Sequence, residues 1–389
     1  MTGKSSIQRR ATDALNASMT QVFEAAGAEY IEPDIIQPAD VFLERSGEHI
    51  RSRTYVFSDP SGAQLCLRPD LTVPACRYHL EQASDVMAAT RYCYAGKAFR
   101  HSKTAADTNL REFDQVGLEL FGGGTVADDD AETLALTLAA LDAASVSGYS
   151  IQLGDLGLFT ALLSSIDMPE RWRTSLRHQF WRPRAFRDLL NRLTGKTPKA
   201  RTSISDLLDE MADSTLDAVS FVENKLEADG LEMIAGRSIE QVAGRLSEKL
   251  DDRSEPSLSG DHAKLIDDYL SIRCSPSQAV QKLKQLGAKT GSEFASAIDL
   301  FDARFEAIQR AGLETADMEF AAVFGRSLEY YTGFVFQIDR QLADGASETI
   351  AGGGRYDTML KDIGADAMIP AVGCAIYASR LVSASEAAS

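Results

Sequence analysis

Two runs of residues, 92–100 and 111–121, constrain the fold most. Both carry aromatic side chains, and the polar segment 101–109 separates them. Runs of this kind at this spacing read as the two strands of a long antiparallel hairpin. In the second run the side chains alternate at period two. Asp114, Val116, Leu118 and Leu120 share one face, and Arg111, Phe113, Gln115, Gly117 and Glu119 share the other. The latter face sets an amide and a carboxylate on either side of a glycine, a pocket floor suited to a cationic or ring N–H donor. The same letters also fit an antiparallel sheet with one solvated face.

Around this hairpin the signals alternate between helix and strand. Leu15, Met19, Val22 and Phe23 stand at helical spacing within 11–28, with Gly27 as a stop. Short strands are expected at 30–36 and 64–67, the second fed by a turn at 59–62. From 158 to 311 the pattern is helical, for example Ile298, Phe301, Phe305 and Ile308, with breaker-rich loops at 195–203 and 253–261. Strand signals return at 319–324 and 334–338. Gly352, Gly353 and Gly354 read as a close-packed turn, and 375–382 as part of a closing helix. The expected architecture is α+β, a sheet split by a helical insertion: a core over 1–157, the insertion over 158–311 and the rest of the core over 312–389.

Composition narrows the function. A chain of 389 residues with 44% hydrophobic content can bury a substantial core. No run approaches eighteen apolar residues and the first twenty lack a secretion signal, so no membrane association and a cytoplasmic location are expected. The cysteines Cys66, Cys76, Cys93, Cys274 and Cys374 lie far apart, and the histidines show no metal-ligand spacing. Reduced thiols, no metal and no cofactor are expected. A net charge of −17 opposes wrapping a polyanion. A local exception spans 171–192, where seven arginines accompany Trp172, Phe180 and Trp181, either a solvated amphipathic helix pair or a nucleic-acid contact.

Other segments carry candidate binding groups. In LRPDLT (67–72) a proline-directed turn presents Asp70 and Thr72 where an α-ammonium can be held. Arg68 and Arg100 stand at strand ends, able to grip a carboxylate or form surface ion pairs. The segment 325–333 brings Arg326 together with Tyr330 and Tyr331, a pair suited to packing on a planar ring or to a hydrophobic core.

Taken in order, LRPDLT, AFRHSK (98–103), REFDQVGLELFG (111–122), RSLEYYTGFVF (326–336) and GGGRYD (352–357) resemble the catalytic core of histidyl-tRNA synthetases, over about 11–382. The resemblance implies a class II aminoacyl-tRNA synthetase-like fold, an antiparallel sheet flanked by helices with a helical insertion. It also implies a dimer formed through a first motif that Glu32 and Pro33 fit. By the same resemblance Asp70 and Thr72 lie near the amino group of histidine, and Arg100, Gln115, Glu119, Arg326, Tyr330 and Tyr331 complete the histidine site. Asp70 is a shortened substitute for the family's glutamate.

Three departures bear on function. Ser102 replaces a glutamate that contacts adenine in the synthetases. Tyr377 and Ser379 replace a glycine and a glutamate of the third motif, which keeps Arg380, and a ring at 377 should crowd a nucleotide. The sequence also ends nine residues after Arg380, without the anticodon-binding domain of a synthetase. This combination resembles the regulatory subunits of the short-form ATP phosphoribosyltransferase. It implies no independent catalysis, no tRNA partner, L-histidine as ligand, and a hetero-octamer with the catalytic subunit in the first step of histidine biosynthesis. Two alternatives keep an enzymatic role, a histidine-activating ligase and a histidyl-tRNA synthetase whose anticodon domain is a separate chain.

Overall fold

The computed structural model describes residues 4–43, 52–101, 111–196, 203–229, 238–288, 290–325, 330–342 and 345–381. The chain divides into two compact units, Met1–Asp167 with Leu265–Ser389, and Met168–Lys264. Among the described residues the first unit holds all the strands: β1 (Glu29–Tyr30), β2 (Ile36–Pro38), β3 (Tyr55–Ser58), β4 (Gln64–Leu67), β5 (Thr90–Phe99), β6 (Glu112–Phe121), β7 (Tyr149–Asp155), β8 (Arg273–Cys274), β9 (Met318–Ala321), β10 (Phe334–Gln341), β11 (Ser347–Arg355) and β12 (Ala371–Tyr377). They form a nine-stranded sheet in the order β1-β5-β6-β12-β11-β10-β7-β9-β8, and a small sheet in the order β2-β4-β3. Only β1 with β5 and β7 with β9 run parallel; every other neighbouring pair is antiparallel.

The expected hairpin is β5 and β6, with Tyr92 opposite Glu119 and Gly96 opposite Gln115. Residues Phe113 to Phe121 of β6 are all buried, so a solvated face is excluded. Helix Thr72–Gln82 contributes Val73, Ala75 and Cys76 to the core that contains Phe113 and Phe121. Helices Ser6–Ala25 and Val126–Ala143 also pack on β6. Helix Ser6–Ala25 begins before its apolar stripe because Ser5 and Gln8 form a reciprocal capping box, Gln8 N donating to Ser5 Oγ at 3.2 Å and Ser5 N to Gln8 Oε1 at 3.0 Å.

Four expectations need correction. The run 30–36 is not one strand: Pro33 has no N–H to give a ladder, and the chain passes from β1 in the large sheet to β2 in the small one. The strand expected at 319–324 is β9, which ends at Ala321. Gly352 to Gly354 form no turn but the middle of β11, paired with β10 and β12. Side chains have no room there, since a Cβ on Gly353 would stand 2.2 Å from the Gly373 carbonyl oxygen. The closing helix starts late, because Ala375, Ile376 and Tyr377 still pair with Gly117, Val116 and Gln115 in β12.

Helix Ser292–Arg310 buries Ile298, Phe301 and Ile308, while Phe305 is half-buried. It also buries Arg304, which composition rules place on the surface. Arg304 donates to Asp130 and to Asp155, each at 2.6 Å. Arg355, at the end of β11, donates to the second oxygen of Asp130 at 2.8 Å and to Asp357 at 2.9 Å. Burial alone would lower the Arg304 pKa, but Asp130 and Asp155 outweigh it and the net shift is upward. This network ties two helices to the ends of β7 and β11. Asp155 also caps the helix after β7, accepting from Gly157 N at 2.8 Å.

Of the stretch 158–311 read as helical, helices Leu156–Ser164, Pro276–Gly287 and Ser292–Arg310 belong to the first unit. The second unit is helical among its described residues. It comprises Glu170–Gln179, Pro183–Leu193, Ser203–Ala212, Ala218–Ala228, Ile239–Ser254 and the start of Gly260–Leu270. A small core forms there around Phe221, Val222 and Ala243.

Candidate functional site

The centre of the large sheet is built around Glu119. It lies on β6 opposite Gly373 of β12, where a Cβ would stand 1.7 Å from Glu119 Oε2, so only glycine lets the carboxylate cross between the strands. Glu119 is fully buried. Tyr94 donates to its Oε1 at 2.7 Å, and Tyr356, just beyond β11, donates to its Oε2. Burial pushes the Glu119 carboxyl up to about 7; the hydrogen bonds from Tyr356 and Tyr94 and from Thr72 oppose this, and the charge of Asp70 adds to it.

Above this floor lies a cavity lined by Asp70, Thr72, Arg100, Gln115, Tyr330, Tyr331, Tyr356 and Tyr377, with Gly373 to Ala375 of β12. Its polar groups are unevenly satisfied. Asp70 is 2% exposed; one carboxylate oxygen accepts from Val73 N at 3.3 Å and the other has no partner. Gln115 is 1% exposed and its Oε1 has no partner. Burial raises the Asp70 carboxyl, against the opposing positive charge of Arg100. Arg100 is held by a 2.7 Å hydrogen bond from its Nε to the Pro69 carbonyl. Tyr330, Tyr331 and Tyr356 form an aromatic wall, with ring centroids 4.7 Å apart for the first two and 5.8 Å between Tyr330 and Tyr356. In the state described the space open to the centre of a water molecule is only about 10 Å³, room for one water.

Beyond Gln115 the cleft is filled by the chain itself. The Tyr377 ring lies 5.7 Å from the Phe113 ring, tilted to it by 57°, and the Arg380 guanidinium lies 4.4 Å over the Tyr377 ring. The Arg100 guanidinium lies over the Phe113 ring at 5.1 Å. The Tyr377 ring therefore stands in the slot beside Gln115, in contact with both Phe113 and the Arg380 guanidinium. Ser379 is also engaged, accepting from Asp114 N at 2.8 Å and donating to Asp114 Oδ2 at 3.0 Å. Arg380 points away to the Thr349 carbonyl.

The family model of histidyl-tRNA synthetase matches residues 6–232 and 254–381. An ATP phosphoribosyltransferase regulatory subunit from Mesorhizobium japonicum is 34% identical over 390 residues, covering 96% of this chain and 98% of the relative. A protein of the same name from Brucella anthropi is 34% identical over 370 residues, covering 94% and 95%. The chain belongs to the histidyl-tRNA-synthetase-like family of ATP phosphoribosyltransferase regulatory subunits.

Two solved structures share its fold. A Bacillus halodurans ATP phosphoribosyltransferase regulatory subunit/histidyl-tRNA synthetase superposes with a TM-score of 0.67 at 21% identity, covering 99% of this chain and 81% of that one. Histidyl-tRNA synthetase from Nostoc sp. PCC 7120 superposes at 0.63 with 17% identity, covering 98% and 73%. The class II synthetase-like α+β core expected from the motifs is therefore the fold of this family member.

Of the residues expected to form its histidine site, Asp70, Thr72, Arg100, Gln115, Tyr330 and Tyr331 line one cavity. Glu119 lies beneath it, with both oxygens engaged by tyrosines. Arg326 and Ser102 lie outside the described residues. The motif reading overlooked Tyr94 and Tyr356 as partners of Glu119. Tyr356 stood inside the quoted GGGRYD, but nothing in its spacing aims it at a residue 237 positions away.

Proposed function

We infer that this chain is a non-catalytic subunit that binds L-histidine in the cavity above Glu119 and regulates the catalytic subunit of ATP phosphoribosyltransferase. The observation that carries the reading is the pair of orphaned acceptors, Asp70 Oδ2 and Gln115 Oε1, in a cavity that Arg100 also lines. A buried acceptor left without a donor costs about 1–3 kcal/mol. An α-ammonium would donate to both, Arg100 would pair with the α-carboxylate, and the tyrosine wall would pack on the imidazole. An imidazole N–H reaching Glu119 would replace one of its two tyrosine donors.

Histidine needs far more room than one water, so the bound state has a wider cavity than the one described. That difference is what regulation requires, because a ligand shifts an equilibrium only by binding two states unequally. A coupling of about 1–3 kcal/mol would give roughly 5–150-fold inhibition. Tyr377 in the neighbouring slot argues against adenylation of histidine.

Assembly is part of the same reading. Exposed apolar residues gather beside Glu32 and Pro33 and on the small sheet, among them Ile35, Ile36, Val56 and Phe57. Such a patch suits a dimer contact, within a hetero-octamer that works in the cytoplasm. No helix among the described residues is long and apolar enough to cross a membrane.

The test is ATP phosphoribosyltransferase activity of the short catalytic subunit encoded by the same genome, with and without this chain, across a histidine titration. Activation together with acquired histidine inhibition is expected. No complex and no change in rate would overturn the reading, and histidine-dependent pyrophosphate exchange by this chain alone would put a ligase in its place.

A further inference from the structure

The second unit carries a charged surface that histidine binding does not use. Between positions 170 and 196 eight arginines and lysines meet only two carboxylates, Glu170 and Asp188, in a chain of net charge −17. Helices Glu170–Gln179 and Pro183–Leu193 turn their apolar sides inward, burying Trp172, Leu176, Phe186, Leu189, Leu190 and Leu193. The cations are left outward. Some are engaged within the unit: Arg171 pairs with Asp252 at 2.5 Å and Glu255 at 3.2 Å, and Glu170 takes Arg173 and Arg177 at 3.1 and 2.8 Å. Arg184 and Arg192 are exposed and have no carboxylate partner among the described residues. Arg192 borders a groove of about 440 Å³ between the two helices, lined also by Thr174, Ser175, His178 and Gln179, with Asp188 as its carboxylate. Trp181 stands at the start of the second helix, half-buried and edge-on to Phe180 at 5.2 Å.

We propose that this helix pair is a docking face for an acidic protein surface, that of the ATP phosphoribosyltransferase catalytic subunit. The proposal rests on the regulatory function inferred above. Exposed guanidiniums take carboxylates as bidentate pairs, and arginine and tryptophan are the residues that most often dominate protein interfaces. A nucleic acid fits less well. Phosphate contacts must extend along a polyanion, and here Asp188 interrupts the groove while the whole chain is strongly acidic.

The experiment compares the full chain with an Arg184→Glu/Arg192→Glu variant. Affinity and association rate for the catalytic subunit are measured at low and high salt, with tRNA as a second probe. Both residues are exposed, so histidine affinity and melting temperature should match the parent chain. The expected result is catalytic-subunit binding that weakens with salt in the parent and is about tenfold or more weaker in the variant, mainly through slower association. Equal binding by parent and variant would overturn the docking face while leaving the regulatory function intact. Tight tRNA binding lost in the variant, with catalytic-subunit binding unchanged, would reassign the surface to nucleic acid. Failure of the parent to bind the catalytic subunit at all would overturn the regulatory function and the docking face with it.

Discussion

The two halves of the cleft differ in how completely the chain satisfies itself. At Asp70 and Gln115 two buried acceptors have no donor. At Phe113, Tyr377 and Arg380 the ring of Tyr377 is met by the chain's own aromatic ring and guanidinium. The first half leaves polar groups open and the second is packed with the chain's own side chains. On the function proposed above, the first half would take the amino acid and the Tyr377 ring would stand where the synthetase-like resemblance puts the nucleotide.

The largest effect should come from the frame that supports both halves. Arg304→Met leaves Asp130 and Asp155 buried with less compensation. Breaking such a network by removing one partner costs about 3–5 kcal/mol, measurable as a lower denaturation midpoint with loss of histidine binding. A variant of unchanged stability would show that the two halves do not depend on this network.

Next is the dependence on pH. The Glu119 carboxyl is raised from an ordinary value of 4.5 to about 7, so the folded state holds this proton more tightly than the unfolded chain. Its contribution is fully present below about pH 4.5 and is lost as the pH rises through about 7. The whole effect is roughly 3 kcal/mol. Denaturation of the parent chain and of Glu119→Gln across that window should diverge, with the variant losing less stability as the pH rises. Parallel curves would mean that Glu119 is ionised throughout.

The open half is tested by Asp70→Asn, which removes the charge while preserving the shape. Histidine affinity should fall by about 30-fold, or roughly 2 kcal/mol, with stability unchanged or higher because a buried charge has been removed. The smallest effect is expected at the closed half. Tyr377→Phe keeps the ring against Phe113 and Arg380, so stability should change by about 1 kcal/mol or less and ATP should still fail to bind. ATP binding by this variant would show that the hydroxyl, rather than the ring, closes the slot.

Much of this arrangement is legible in the sequence because it follows from short-range periodicity. The alternation in 111–121 puts Gln115 and Glu119 on one face, and the segment is indeed the strand β6, although its burial does not alternate because both faces are covered. Tertiary context decided where the reading failed. Three consecutive glycines signal a turn locally, yet Gly353 is needed in β11 because the backbone of β12 passes too close for a side chain. Nothing local in the sequence singles out the buried Arg304, because its partners Asp130 and Asp155 are both far away along the chain. The tyrosine partners of Glu119 depend equally on strand order. Tyr94 belongs to the neighbouring β5, but Tyr356 reaches Glu119 only because β12 places β11 two strands away.

Calorimetric titration of the chain with histidine, in the absence and presence of ATP, tests the contrast between the two halves most directly. Histidine is predicted to bind with the same affinity in both cases, with no heat from ATP alone and no pyrophosphate released. ATP that binds, tightens histidine binding and yields pyrophosphate would contradict the account.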